Sequence, residues 1–126
     1  MAAGETRRFP IRFTGANRTM AAIGIRPANS WVELSPTLLR VRMGWAFSLR
    51  SARSAVRSAA PDQDPVRAWG VHGWRGRWLV NGSSDGLVRI EFDPPAPGRT
   101  LAFPLHVRTL RVSVEDPDDL VSALGT

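Results

Sequence analysis

The sequence predicts a mainly β domain: a bent antiparallel sheet or barrel of about seven strands with one C-terminal helix. Three observations carry that expectation. Residues 70–92, GVHGWRGRWLVNGSSDGLVRIEF, read as one long hairpin, with a Trp-rich strand, an Asn-Gly turn cluster and an alternating return strand. Residues 39–43, Leu-Arg-Val-Arg-Met, have the period of a half-buried strand. Residues 116–125, DPDDLVSALG, hold the start and stop signals of a short helix.

Taken in order, FPIRF at 9–13 reads as a short strand, and Pro10 favours a sheet edge because it lacks an N–H. Residues 14–20 are polar and turn-like, and AAIGI at 21–25 reads as a second short strand stopped by Pro27. Residues 31–34 form a strand followed by a Ser35-Pro36-Thr37 turn. Leu39, Val41 and Met43 then face one way and Arg40 and Arg42 the other. After Gly44, the residues Trp45, Phe47 and Leu49 alternate against Ala46, Ser48 and Arg50.

The Ala/Ser/Arg-rich segment 51–60 reads as a bend and a short strand near 55–58, and PDQDP at 61–65 as a loop. In the long hairpin Trp74, Trp78 and Val80 share one face, and Arg75, Arg77 and Leu79 the other. Residues 81–86 supply the reversal, after which Val88, Ile90 and Phe92 point inward and Leu87, Arg89 and Glu91 outward. DPPAPG at 93–98 ends that strand, since adjacent prolines cannot donate to a ladder.

The last strand changes phase. Leu105 and Val107 are apolar on one parity, and Leu110, Val112 and Val114 on the other, which predicts a bulge near Arg108 and Thr109. The helix is placed at Pro117–Leu124: Asp116 is its N-cap, Pro117 suits its first position, and Asp118 and Asp119 complement its dipole. Leu120, Val121 and Leu124 make its apolar stripe and Gly125 ends it. Two turns of helix are not stable alone in water, so this one must lie on the sheet.

At 126 residues the chain is large enough for one core, and its 43% apolar content with five tryptophans argues against disorder. All 17 basic residues are arginine, while lysine, tyrosine and cysteine are absent, which points to a GC-rich coding sequence rather than to selection for guanidinium chemistry, and a bacterial origin is expected. Without cysteine there are no disulfides, no thiolate catalysis and no Cys-ligated metal. No run approaches the roughly 18 apolar residues of a membrane span. Nor does an apolar core of signal-peptide length follow the arginines of MAAGETRRFP, so a cytoplasmic location is expected. The net charge of +6 is uneven: residues 1–57 carry ten arginines against Glu5 and Glu33. That excess suggests an acidic partner, although compositional bias alone produces the same imbalance.

The succession of strands from Trp31 onward, then one capped helix, resembles the pleckstrin-homology-like barrel, and the chain is similar to small free-standing bacterial members of that family. The segments behind the resemblance are LLRVRMGWAFSLR, SARSAVRSA and RVSVEDPDDLVSAL. It covers residues 30–126, leaving residues 1–29 as an N-terminal extension with one or two short strands. The resemblance implies a binding module rather than an enzyme. Its phosphoinositide-binding members present basic residues from a long loop between the first two strands. Here that connection is only Ser35 to Thr37, without a base, so a lipid site does not carry over to that position.

Candidate binding residues are Arg40, Arg42, Arg50, Arg53, Arg57, Arg75 and Arg77, whose guanidinium forks suit phosphate or carboxylate. The competing reading is a solvated face in an arginine-biased chain. Trp69 and Trp74, at irregular positions, are candidates for exposed rings beside a ligand, whereas the other tryptophans read mainly as core. His72 and His106 are the only histidines. There is no Gly-x-Ser-x-Gly elbow and no zinc-ligand spacing, and Gly70, Gly73 and Gly76 lack the Gly-Lys-Ser/Thr of a phosphate loop. No cofactor is therefore expected.

The expected function is a non-enzymatic module that binds an anionic group or a protein partner through the arginine face and a hairpin tip at residues 81–86. Peripheral membrane contact is compatible with this, while specific nucleic-acid reading lacks a motif. The alternatives are a small enzyme with a pocket near His72, and a homo-oligomerisation domain pairing through strand edges or tryptophans.

Overall fold

A computed structural model describes residues 6–14, 24–64, 66, 70–101 and 103–125. The strands are β1 (Arg7–Pro10), β2 (Ser30–Leu34), β3 (Leu38–Met43), β4 (Phe47–Ala52), β5 (Val56–Pro61), β6 (Gly70–Trp74), β7 (Arg77–Asn81), β8 (Leu87–Thr100) and β9 (Phe103–Ser113). A single α-helix, α1 (Pro117–Leu124), follows them. The chain is thus mainly β with one C-terminal helix.

The strands form one sheet in the order β1-β2-β3-β4-β8-β9-β7-β6, with β5 added along β8. β8 organises it. One edge of β8 pairs with β9 over residues 87–91 and again over residues 96–100; the other pairs first with β5 and then, at Gly98 to Thr100, with β4. The sheet curves strongly about this strand. In a flat sheet β4 and β7, three places apart, would lie about 14 Å from each other. Instead the Phe47 and Trp78 rings meet with centroids 6.2 Å apart. Alternate residues of the two halves fill the space between them. Val32, Leu39, Val41, Met43 and Phe47 form one buried core with Val80, Val88, Ile90, Leu110 and Val112.

β1 pairs with β2 at the sheet edge, where Pro10 was expected to place it. The chain beyond it is held by isolated bridges, Ile11 with Val114 and Phe13 with Gly82, which cross the open end of the sheet. Phe9, Ile11 and Phe13 are buried in the common core. Of the strand expected at 21–25, residues 21–23 lie outside the described set; Gly24 and Ile25 are not in a strand, and Ile25 is buried.

The helix follows its sequence signals. The Asp119 backbone N–H donates to the Asp116 side chain, Pro117 opens the first turn, and Leu120 is fully buried as α1 rests on β5 and β8. The phase change in the last strand is also present: the N–H groups of Arg108 and Thr109 both donate to the Gly76 carbonyl. There the β8–β9 register slips, from Glu91 opposite Thr109 to Ala96 opposite Val107.

Several expectations are corrected. Residues 70–92 are not one hairpin. The hairpin is β6–β7, turning at Arg75 and Gly76, whose φ angles of +52° and +84° match a two-residue primed turn. β7 then pairs in parallel with β9, so the sheet is mixed, and residues 81–86 form a crossover rather than a hairpin tip. DPPAPG does not end β8. Pro94 and Pro95 fall where β8 slips against β9 and leaves β5, so their missing N–H groups interrupt no regular ladder, while Pro97 lies opposite His106 where the β8–β9 pairing resumes. Trp45 is not an inward strand residue: it occupies the β3–β4 turn and is 54% exposed, while Ala46 is buried. Leu87, expected outward, is buried at the start of β8.

Candidate functional site

Burying Leu39, Val41, Met43, Phe47 and Leu49 sends the alternate residues of β3 and β4 to the outer face. Pairing then decides which of them meet. Arg40 stands opposite Arg50 and Arg42 opposite Ser48 on β3–β4. Ser48 in turn faces Arg99 of β8, and Trp31 and Glu33 of β2 face Arg42 and Arg40. Two rows result, Trp31–Arg42–Ser48–Arg99 and Glu33–Arg40–Arg50. Apart from Glu33, they line an open hollow of about 610 Å³ together with Trp45, Pro97 and Leu101.

The charges in this hollow are unevenly compensated. Glu33 accepts from Arg8 at 2.8 Å and Arg40 at 3.2 Å, and both guanidinium groups lie over the Trp31 ring at 4.5 and 5.6 Å. Arg42 donates through Nε to the Gly44 carbonyl at 3.0 Å. Among the described residues, no carboxylate lies within ion-pair distance of Arg42, Arg50 or Arg99.

A second hollow, of about 580 Å³, lies on the outer face of β6, β7, β9 and β8, with His72, Arg77, Arg89, Glu91, Thr109 and Arg111 among its lining. Its charges are largely matched. The Asp62 side chain, 4% exposed, accepts from Arg111 and lies 3.4 Å from Arg89, which also pairs with Asp64 at 2.8 Å. Burial pushes the Asp62 pKa up. The Asp64 backbone N–H and the hydrogen bond and charge of Arg111, with Arg89, outweigh that and hold it below the ordinary carboxylate value. Glu91 accepts from Thr109 Oγ1 at 2.7 Å. No cluster of potential metal ligands occurs among the described residues.

The candidate arginines therefore separate. Arg40, Arg42 and Arg50 converge in the first hollow. Arg53 instead donates to the carbonyls of Ser35 at 3.2 Å and Ala123 at 2.7 Å, tying the β2–β3 turn to the end of α1. Arg57 pairs with Asp93 at 3.6 Å, Arg75 sits in the β6–β7 turn, and Arg77 lines the second hollow. Trp69 lies outside the described residues, and Trp74 ends β6 with its side chain likewise outside them. Of residues 81–86, Asn81, Gly82 and Ser83 are buried, while Ser84 and Asp85 are exposed. Arg99 was missed in the sequence because DPPAPG reads as a strand end. Its outward parity, shared with Pro97, becomes meaningful only once β8 is known to continue.

No helix among the described residues is long and apolar enough to cross a membrane. Comparison with protein-family models, curated proteins and solved structures finds no match to this chain.

Proposed function

We propose that this protein is a non-catalytic binding module, built as a pleckstrin-homology-like bent sheet, that takes a phosphate-bearing anion on the outer face of β3, β4 and β8. The strand-to-helix order supports the family reading, although the parallel β7–β9 pair departs from the antiparallel sheet that the resemblance implies.

The observation that carries the functional reading is the gathering of Arg42, Arg50 and Arg99 beside Ser48 in one hollow, without a carboxylate partner among the described residues. Like charges on facing strand positions cost stability. The other facing arginine pair, Arg89 and Arg111, shares Asp62, and Glu33 serves both Arg8 and Arg40. A bound phosphate supplies the missing charge here, with guanidinium forks donating in pairs and the Ser48 hydroxyl adding a donor. Ser48 faces Arg42 and Arg99 rather than a histidine or carboxylate, an environment suited to holding an anion and not to activating a nucleophile.

Calorimetric titration with inorganic phosphate and pyrophosphate, at low and high salt, tests this. Saturable binding that weakens with salt, falls about tenfold or more in Arg50→Ala, and persists in Arg57→Ala is expected. Absence of saturable binding at low salt would reduce the arginines to a solvated face.

A further inference from the structure

We infer that the end of the sheet carrying Trp45, Leu101 and Phe103 is a membrane-docking tip, seating the protein on an anionic bilayer so that Arg42, Arg50 and Arg99 meet lipid phosphates. This rests on the anion-binding reading above and adds the source of the anion.

Trp45, Leu101 and Phe103 are 54%, 57% and 68% exposed, and they are the large hydrophobic side chains that the described structure leaves in solvent. They come from two neighbouring turns. Trp45 belongs to the β3–β4 turn, while Leu101 follows β8 and Phe103 opens β9 opposite Thr100. The turns are joined at Ala46, whose carbonyl accepts from the Leu101 N–H at 3.2 Å and from Thr100 Oγ1 at 2.9 Å. The exposed apolar side chains are therefore gathered at one end rather than scattered.

Leu101 has a φ of +53°, a left-handed conformation that glycine or asparagine adopts with far less strain. Turn geometry alone would not select a branched apolar residue there. Strain of this kind concentrates where a side chain has a task.

Charge and depth identify the occupant. Arg42 and Arg99 line the same hollow as Trp45 and Leu101. Arg99 is two residues before Leu101, which leaves the end of β8 in a left-handed turn, so the two lie at most about 7 Å apart along the chain. An interfacial element sinks its apolar face about 5–10 Å into the headgroup and acyl boundary. With the tip at that depth, the arginines stand at the phosphates, and Trp45 occupies the interfacial zone that tryptophan favours. The apolar groups lie on turn tips, a shape suited to entering a bilayer rather than to receiving a partner's side chain in a groove.

The test is co-sedimentation of the full chain with vesicles of phosphatidylcholine alone or mixed with phosphatidylglycerol, run beside the phosphate titration. Binding to the anionic vesicles only is expected. Phe103→Ser, a position that does not line the hollow, is expected to lower it about tenfold or more while leaving phosphate binding intact, whereas Arg50→Ala lowers both. As a readout independent of stability, brominated lipid should quench tryptophan fluorescence in the native chain and much less in Trp45→Phe, which still binds.

Phosphate binding without vesicle binding would overturn the membrane inference and leave the anion reading standing. So would vesicle binding unchanged in Phe103→Ser, or equal quenching with and without Trp45. Failure of the native chain to bind phosphate at all would remove the anion reading itself.

Discussion

Arg40 and Arg50 stand directly opposite each other on neighbouring antiparallel strands, and only Arg40 has a carboxylate, Glu33, within ion-pair reach among the described residues. Arg50→Glu would turn this like-charge pair into a cross-strand ion pair. The variant should be more stable, by about 0.2–1 kcal/mol, and should lose phosphate binding. Urea midpoints and calorimetry check the two halves of this prediction. A less stable variant would show that the arginine pair costs the fold nothing.

Gly73 lies beneath the Trp78 indole on the paired strand, and a Cβ at that position would stand 2.0 Å from Trp78 Cδ2. Gly73→Ala should therefore displace the indole from Phe47 and destabilise the protein by about 1–3 kcal/mol. The near-ultraviolet circular dichroism should change with it. Denaturant unfolding indistinguishable from that of the native chain would mean that the strands separate freely at this pair.

Asp62 links the loop after β5 to Arg89 and Arg111, and those arginines together with the Asp64 N–H hold its pKa low. A depressed carboxylate pKa contributes stability that is complete above the unfolded-state value, about 3.9, and is lost as pH falls through the folded-state value. Asp62→Asn should cost about 1–3 kcal/mol near neutral pH. Its deficit should shrink steadily as the pH is taken below about 4. Thermal melts of both proteins over that range measure the difference; a constant deficit would contradict the linkage.

Arg53 serves the fold rather than the hollow, because it bonds a carbonyl in the last turn of α1 and one in the β2–β3 turn. Arg53→Ala should cost about 1–2 kcal/mol and speed amide exchange in α1, with phosphate binding unchanged. Weakened phosphate binding in this variant would place Arg53 with the functional arginines.

Some of this architecture was legible residue by residue. The bounds of α1 followed from Asp116, Pro117 and Gly125, each acting on its own turn. The two faces of β3 followed from strict alternation, which also placed Arg40 and Arg42 outward. Trp45 escaped because alternation has no meaning at a turn: Met43 and Phe47 pair directly, so the residue between them in parity is exposed at the apex. Arg99 escaped because prolines that normally end a strand were accommodated where β8 exchanges neighbours.

The sequence by itself determined the strand-rich composition, the inward and outward faces and the capped helix, because side-chain period and capping are local properties. The tertiary structure alone decided that β7 runs parallel to β9, that Arg99 joins Arg42 across Ser48, and that two distant turns bring Trp45 beside Leu101. Strand neighbours and register are set by how distant segments share one buried core and satisfy each other's backbone groups, and no short window of residues carries that choice.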